Sequence, residues 1–310
     1  MGNFSRKARR AFFGPFSPIR APNPFFRRRQ PKPTPILLTG HARSGSSWIG
    51  QTIAQAPEAV YYDEPCSPNH WNGERFEWFR YVRPGTPDPY LERALDPVFR
   101  GLVTPGWTLS RSQYARRWSR SAQLVITEVT AIMSADWVWQ RYQPLTLLAV
   151  RHPAAIAWSE LRRDIDARES VQAFLSQPAL MEAHLEPYRA VLEEAQEPCE
   201  LYGAVWGARN RVLVDCLEKH PGWQIVDYDS VARSPVEEFQ RLYKNLGLTW
   251  SSEIAEHVRR TTTTNQSGVN SNVRVSSERV ELWRQKLSTE QIAQVRQFST
   301  PFQLPFDYAW

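Results

Sequence analysis

Residues 36–50, ILLTGHARSGSSWIG, constrain the fold of this chain more than any other segment. Ile36 to Thr39, which begin with three apolar residues, predict a buried strand, Gly40 and Gly45 bound a turn, and Ser46 to Ala56 predict a helix. The free N–H groups and the dipole at the start of such a helix favour a bound anion. The segment therefore predicts a strand, a glycine turn and a helix that together cradle a phosphate group.

The turn nearly fits the P-loop pattern G-x-x-x-x-G-K-[ST]. Gly40, Gly45 and Ser47 stand in place, whereas Ser46 stands where the pattern has lysine. That lysine reaches the β- and γ-phosphates of a triphosphate, and this loop carries Arg43 inside the turn instead. The loop is therefore better suited to a shorter phosphate ester.

The segment HARSGSSW resembles the 5′-phosphosulfate loop of the sulfotransferases that use 3′-phosphoadenosine 5′-phosphosulfate (PAPS), and the Golgi-type carbohydrate enzymes carry the closest version. The resemblance implies that Arg43 takes the place of the family's lysine or arginine at the bridging oxygen of PAPS. It also implies that Trp48 stacks on the adenine, although a tryptophan there is equally compatible with a place in the core. The residues implied in binding the 5′-phosphosulfate end of PAPS are Arg43, Ser44, Gly45, Ser46, Ser47 and Trp48.

A second segment, LLAVRHPAAIAWSELRR at 147–163, resembles the part of these enzymes that binds the 3′-phosphate. Arg151 and Ser159 match the binding residues there, and an arginine at a strand end can offer a bidentate fork to a phosphate. His152 stands where the family usually has Asp, which removes a carboxylate that would help to orient the turn. Tyr228, in VDYDSVARSP, falls where relatives place a tyrosine near the adenine.

A third segment, YYDEPCSPNH, resembles the stretch of carbohydrate sulfotransferases in which a glutamate before proline is taken as the catalytic base. We therefore expect Glu64 to be the base, since a carboxylate at that strand end would face the same cleft as the phosphate loop. Asp63, His41 and His70 remain alternatives. Arg43 and Glu64 are the two residues expected to act in catalysis.

The remaining pattern alternates strands with helices. Strands are predicted over 59–62, 124–129, 145–151 and 223–229. Helices are predicted over 134–142, 154–163 after Pro153, 169–220 with breaks near three prolines, 238–246 after a capping box at 234–237, 278–286, and a last helix opened by a capping box at 288–291. This alternation predicts a P-loop-like three-layer α/β/α domain with a central parallel sheet.

The chain divides into a tail at 1–35 and a single domain at 36–310. Within the domain, 66–120 shows no clean periodicity and is interpreted as an insertion that builds the substrate cleft, whereas 261–286, which begins as a polar loop, is interpreted as a cofactor-covering segment.

The tail holds nine Lys and Arg and no acidic residue, and the rest of the chain holds 29 basic and 32 acidic residues. The net charge of +6 therefore belongs to the tail and does not predict nucleic-acid binding by the domain.

The tail also contains several phenylalanines among its arginines and prolines. Such a segment can contact an anionic membrane peripherally, and a solvated arm or an import leader are the alternatives. The chain lacks an apolar run long enough to span a bilayer, so we expect it to be cytoplasmic, with any membrane contact peripheral at the inner face. Its three cysteines have no metal-binding or disulfide spacing and are expected to be reduced and mostly buried.

The resemblance implies a PAPS-dependent sulfotransferase that needs no metal and acts on a hydroxyl group. Its acceptor is expected to be a saccharide or a glycolipid, on the likeness of the loop and the Glu-Pro segment to carbohydrate enzymes. Two alternatives stay open: a P-loop nucleotide kinase or NTPase, and a non-catalytic scaffold that binds a nucleotide.

Overall fold

A five-stranded parallel sheet organises the molecule. The computed structural model describes residues 34–67, 79–101, 122–263 and 280–310. The strand order is β2-β3-β1-β4-β5, so the first strand lies at the centre. The strands are β1 Ile36–Gly40, β2 Ala59–Asp63, β3 Gln123–Thr127, β4 Leu145–Val150 and β5 Gln224–Asp227. Strands β2 and β3 lie on one side of β1, and β4 and β5 lie on the other, so the strand order switches at β1. Ligand sites of such sheets lie beyond the carboxyl ends of the strands at that point.

Twelve helices of the described residues are labelled here. They are α1 Ser46–Ile53, α2 Pro89–Phe99, α3 Ala135–Tyr142, α4 Pro153–Leu161, α5 Arg168–Leu175, α6 Arg189–Glu194, α7 Pro198–Lys219, α8 Tyr228–Arg233, α9 Pro235–Leu246, α10 Ser252–Thr263, α11 Leu282–Lys286 and α12 Thr289–Ser299. Shorter helical turns occupy Ile132–Ser134, Pro178–Leu180, Met181–Leu185, Glu186–Tyr188 and Thr300–Phe302.

Alternate residues of each strand enter opposite layers, because successive side chains of a strand point to opposite faces. Ile36 and Leu38 pack in a core with α1, α9 and α10. Leu37, between them, packs with α2 and α3 on the other face, where β4 also meets α4 and α7. The predicted three-layer α/β/α fold with a central parallel sheet is confirmed.

Several predicted boundaries differ from those in the structure. The strand predicted to run to Asp229 ends at Asp227, because the Asp227 carboxylate accepts the N–H of Asp229 and starts α8. The first three residues of the polar loop predicted from Thr261 form the last turn of α10, which ends at Thr263. The helix predicted to run to Ala56 ends at Ile53.

The capping box predicted at Ser234 is wrong. Ser234 precedes α9, with Pro235 in the first helical position as predicted, but its side chain accepts no capping hydrogen bond. Ser234 is also the residue that ends α8, with φ −131° and ψ 62°, so the preceding helix sets its conformation. The second predicted box is confirmed, because Ser288 and Gln291 exchange both of its hydrogen bonds.

Helix α2 lies inside the segment that the sequence analysis left unassigned. Asp88 caps it by accepting the N–H of Leu91, and Pro89 occupies its first turn. The helix buries one face against β2 and β3 and forms part of the crossover between those strands. This part of the predicted insertion therefore belongs to the helical layer that covers one face of the sheet. Residues 68–78 and 102–121 of the insertion lie outside the described residues.

The three cysteines, at 66, 199 and 216, are buried free thiols, as predicted. Within the described ranges, no helix is long and apolar enough to cross a membrane. The search of those same ranges finds no group of three or more His, Cys, Asp or Glu residues that could hold a metal ion. The tail at 1–33 and residues 264–279 of the predicted covering segment fall outside the described residues.

Candidate active site

The glycine turn between β1 and α1 is held tightly by its neighbours. Gly45 has φ 86° and ψ 8°, a left-handed conformation that favours glycine, and it immediately precedes α1. A Cβ at this position would lie 2.3 Å from the Tyr228 ring, and a Cβ on Gly40 would lie 2.3 Å from the carbonyl oxygen of Ala149. Both glycines are therefore needed for the turn to sit between β4 and α8.

The turn presents a hydrogen-bond donor, the Ser44 hydroxyl, that has no acceptor among the described residues. Ser44 donates its N–H to His41, but its fully buried Oγ finds no partner within the described residues. The first N–H groups of a helix likewise lack intrahelical acceptors. Ser46 is buried and Ser47 half-buried in that first turn. An unpaired buried hydroxyl beside free N–H groups fits a cradle for an anionic ligand group.

Arg43 joins the turn to the second predicted phosphate segment. Its Nε donates to Oγ of Ser159 at 3.0 Å, and its carbonyl accepts a hydrogen bond from Nη1 of Arg151 at 3.1 Å. Arg43 has φ 76°, a conformation that non-glycine residues rarely adopt. The structure therefore brings Arg43 to Arg151 and Ser159, which lie more than 100 positions away in the sequence.

Tyr228 lies between the two phosphate segments. The guanidinium carbon of Arg151 lies 4.2 Å from the centre of the Tyr228 ring, in a cation–π contact. Trp48 packs edge-on against Tyr228, with ring centres 5.7 Å apart, and against Phe239 at 5.4 Å. Trp48 is half-buried, so it contacts the core and keeps part of its surface accessible.

A buried polar cluster continues from Arg151. Nε of Arg151, Oδ1 of Asp229 and the hydroxyl of Tyr308 are buried without a hydrogen-bond partner in the described part of the chain. Burial raises the pKa of Asp229 to about 6, although the charge of Arg151 opposes this rise. The carboxyl-terminal segment that carries Tyr308 thus packs beside the arginine predicted to bind a phosphate.

Glu64 follows β2 in a strained conformation. It has φ 44°, and its N–H donates to the carbonyl of Thr127 at 2.7 Å. Burial, followed by the charges of Asp63 and Glu128, raises the pKa of Glu64 to about 7, while the charge of Arg43 lowers it. A carboxylate with that pKa can take up a proton near neutral pH. A strained backbone at such a residue is common at functional sites.

The turn that carries Glu64 is fixed by Glu128, which the sequence analysis did not single out. Glu128 directly follows β3 and is 3% exposed. Its carboxylate accepts N–H groups from Cys66 at 2.7 Å, Thr130 at 2.6 Å and Ala131 at 3.0 Å. The strand beside β1 is thus followed by an acidic residue, but backbone N–H groups occupy its carboxylate.

The other proposed bases have different surroundings. Asp63 accepts a hydrogen bond from the Tyr61 hydroxyl at 2.9 Å. His41 is buried, its Nδ1 contacts the carbonyl of Ala42, and its Nε2 lies 3.1 Å from Nη1 of Arg209. Burial and the charge of Arg209 hold the pKa of His41 well below its ordinary value. His41 is therefore a structural contact of α7 and not a solvent-facing base; His70 lies outside the described residues.

His152 can orient the turn after β4, although it replaces the aspartate that the family usually has there. Its Nδ1 accepts the N–H of Ala154 at 3.1 Å and so caps α4. Nε2 contacts the carbonyl of Ala309 at 3.2 Å, and the ring stacks on Trp283 with centres 4.3 Å apart. Burial lowers the pKa of His152 to about 4, so the ring is neutral at neutral pH.

A pocket opens beside these residues, between α4 and α11. Arg43, Arg151 and Ser159 lie on its wall, together with Trp283 from the far side. Arg162 also lines this pocket and was not among the predicted site residues. The site is thus a P-loop-like anion cradle next to an arginine-lined pocket, and the carboxyl group of Glu64, whose pKa is raised, interacts with the charge of Arg43.

Neither a protein-family model nor a curated protein sequence matches this chain. Solved structures do match it. The sulfotransferase domain of the curacin biosynthetic pathway is 12% identical with a TM-score of 0.49, over 87% of this chain and 98% of that domain. Mouse SULT7A1, solved with PAP, is 12% identical with a TM-score of 0.47, over 88% of this chain and 86% of that protein.

A sulfotransferase from Alicyclobacillus acidocaldarius is 16% identical with a TM-score of 0.38, over 86% of this chain and 96% of that one. These proteins are sulfotransferases, the family that the sequence motifs resemble. At this identity and structural similarity, the likeness defines neither the activity nor the substrate of this chain, which are argued below from its own residues.

Proposed function

We propose that this protein is a PAPS-dependent sulfotransferase that moves a sulfuryl group to an acceptor hydroxyl. One observation carries the proposal: Arg43 donates to Ser159, while Arg151 donates to the Arg43 carbonyl. The glycine turn and the Arg151 segment thus form one continuous anion-binding surface. A nucleotide that carries phosphate groups at both its 5′ and 3′ positions fits such a surface, because each group meets its own donors.

The turn and the start of α1 would hold the 5′-phosphosulfate. Ser44 supplies an unpaired buried hydroxyl and the first turn of α1 supplies free N–H groups. Arg151 and Ser159 would hold the 3′-phosphate, and Trp48 and Tyr228 offer aromatic surface for the adenine. PAPS supplies an activated sulfuryl group when it is bound there.

Glu64 would act as the general base. It accepts the proton of the acceptor hydroxyl while the acceptor oxygen forms a bond to sulfur and the bond from sulfur to the 5′-phosphate oxygen breaks. Arg43 and the α1 dipole stabilise the negative charge that develops on the departing phosphate. Sulfuryl transfer resembles phosphoryl transfer in depending mainly on positioning and charge stabilisation.

The residues fit a nucleotide kinase less well. Ser46 replaces the lysine that contacts the β- and γ-phosphates, and the carboxylate of Glu128 already accepts three backbone N–H groups. The two positions that a P-loop kinase uses for a triphosphate and its magnesium ion are therefore changed or occupied. A non-catalytic scaffold is disfavoured by the raised pKa of Glu64 beside Arg43.

We propose a saccharide or glycolipid hydroxyl as the acceptor. Support comes from the likeness of the RSGSSW and Glu-Pro segments to carbohydrate enzymes. Tryptophans at 71, 78, 107 and 118 suit stacking on sugar rings and lie outside the described residues. Peripheral membrane contact through the basic tail, and a cytoplasmic location, stay predictions.

The activity is tested by incubating the protein with PAPS and panels of sugars, glycolipids, phenols and steroids in EDTA, and measuring 3′-phosphoadenosine 5′-phosphate (PAP) release and acceptor sulfation. We expect acceptor-dependent release that Glu64→Gln lowers by about 100-fold or more. Transfer only to phenols or steroids would overturn the acceptor class and leave the reaction in place. PAP binding without transfer to any acceptor would favour the scaffold.

A further inference from the structure

The pocket between α4 and α11 has a strongly basic wall. Arg43, Arg151 and Arg162 line it, and none of the lining residues in the described chain is acidic. Trp158 and Trp283 add apolar surface on either side of the arginines. Three guanidinium groups on one wall, with no carboxylate on that wall, suit a dianionic ligand group.

Two of these arginines already use part of their donor capacity. Nε of Arg43 donates to Ser159, and Nη1 of Arg151 donates to the Arg43 carbonyl. Arg162 differs from both, because its side chain is exposed and has no ion pair or hydrogen bond to any described residue. All five of its N–H donors are therefore available to a ligand.

The position of Arg162 directs it to the same pocket. It directly follows Leu161, the last residue of α4, and lies three positions after Ser159, a spacing that places two residues on the same helix face. Its guanidinium carbon lies 5.6 Å from the centre of the Trp158 ring, at the outer range of a cation–π contact. Trp158 is half-buried and thereby limits the positions open to the Arg162 side chain.

We propose that Arg162 is a third arginine ligand of the nucleotide 3′-phosphate, held over the pocket by Trp158. The inference rests on the proposed function, because it takes the pocket as the place of the 3′-phosphate. Arg151 and Ser159 fix the inner side of that phosphate, and Arg162 closes its outer side. Arg162 thereby contributes to the preference for a 3′-phosphorylated nucleotide over one that lacks this group.

Binding of PAP and of 5′-AMP to the full chain, measured by calorimetry, tests this role. Arg162→Gln should weaken PAP binding by about 10-fold or more, the scale for a lost charge-assisted contact, and leave 5′-AMP within about 2-fold. Arg163→Gln is the matched control, because it removes the same charge one residue later without lining the pocket. We expect it to weaken PAP less than about 3-fold.

A second variant, Trp158→Leu, should weaken PAP several-fold and spare 5′-AMP, since it removes the ring that positions Arg162. Equal losses in Arg162→Gln and Arg163→Gln would show a general field effect and overturn a direct contact. Loss of 5′-AMP binding in Arg162→Gln would move its action to the glycine turn, and unchanged PAP binding would also contradict the inference. If the wild type still binds PAP and Arg151→Ala weakens that binding, the proposed function stands in each of these cases. If the wild type does not bind PAP, both the role of Arg162 and the proposed function are contradicted.

Discussion

Nε of Arg43 lies 3.0 Å from Oγ of Ser159, and this hydrogen bond joins the glycine turn after β1 to helix α4 after β4. The two segments belong to adjacent parallel strands, so their carboxyl ends meet at one edge of the sheet. The serine holds Arg43 near the place where an anion would sit against the turn. This bond couples the two phosphate positions of the proposed site.

Ser159→Ala should therefore affect both ends of the nucleotide. It removes a hydrogen bond to a charged group, so we expect PAP affinity to fall by about 10-fold. It also frees Arg43, so turnover with PAPS should fall beyond the loss in affinity. Ser170→Ala, at a serine of similar burial on α5, is the control and should leave both values unchanged. Calorimetry and initial rates measure the two effects; wild-type affinity and rate in Ser159→Ala would contradict the coupling.

The pH dependence of turnover should identify Glu64. The base works when deprotonated, so kcat/KM should rise with pH along a limb centred near the free-enzyme pKa of about 7. Glu64→Gln should remove this limb and lower kcat by about 100-fold or more. Asp63→Asn should retain activity and shift the limb to lower pH, because the charge of Asp63 helps to raise the pKa of Glu64. An unshifted limb in Asp63→Asn would assign the titration to another group.

The same carboxylate should make the fold less stable at alkaline pH. Its pKa is about 7 in the folded chain against 4.5 ordinarily, so the folded state favours the protonated form. That contribution to the free energy of unfolding is complete below pH 4.5 and is lost as the pH rises through 7. Glu64→Gln should therefore raise the unfolding free energy at pH 8 by about 1–3 kcal/mol, measured in urea. A variant less stable than the wild type at pH 8 would contradict the buried position of this carboxyl group.

Arg209 should stabilise the glycine turn through its contact with His41. It is 7% exposed, it contacts His41, and its guanidinium carbon lies 4.1 Å from the centre of the Phe79 ring. Burial lowers the pKa of Arg209 to about 10 and raises that of Glu160, and the attraction between the two charges opposes both shifts. Arg209→Met should cost about 3 kcal/mol of stability, because it removes the buried cation whose charge acts most strongly on the buried Glu160 carboxyl group.

Adding Glu160→Gln to Arg209→Met tests that explanation. The double variant should lose less stability than the sum of the two single variants, by about 1 kcal/mol or more. Urea unfolding of the wild type and the three variants gives this coupling energy. Strict additivity would show that Arg209 stabilises through packing on Phe79 alone.

The glycine turn could be predicted from sequence because its constraints are local. Ile36 to Leu38 are consecutive apolar residues, and Gly45 is required by a positive φ angle. Arg151 and Ser159 could also be placed together, because Arg151 follows a strand and Ser159 lies eight positions later in the next helix. Each of these predictions depends on the order of neighbouring residues.

Other parts of the site depend on contacts between distant segments. Arg209 is one cation within a 22-residue helix, and its packing beneath the turn has no local signal. Glu128 follows a strand, but its use as an acceptor for three backbone N–H groups depends on the path of the chain at Cys66 and Ala131. Helix α2 was missed because Pro97 interrupts its pattern, although Asp88 and Pro89 gave a usable start signal.

Calorimetry of PAP in EDTA, beside ATP with magnesium, tests the central claim most directly, on the wild type and on Arg151→Ala. The proposed site predicts metal-independent PAP binding that Arg151→Ala weakens by about 2 kcal/mol, the scale for a lost charge-assisted phosphate contact, with ATP bound much less tightly. Arg100→Ala, an exposed arginine that ends α2, is the control and should bind PAP as the wild type does. Magnesium-dependent binding of ATP, with no binding of PAP, would contradict the sulfotransferase assignment and favour a P-loop kinase.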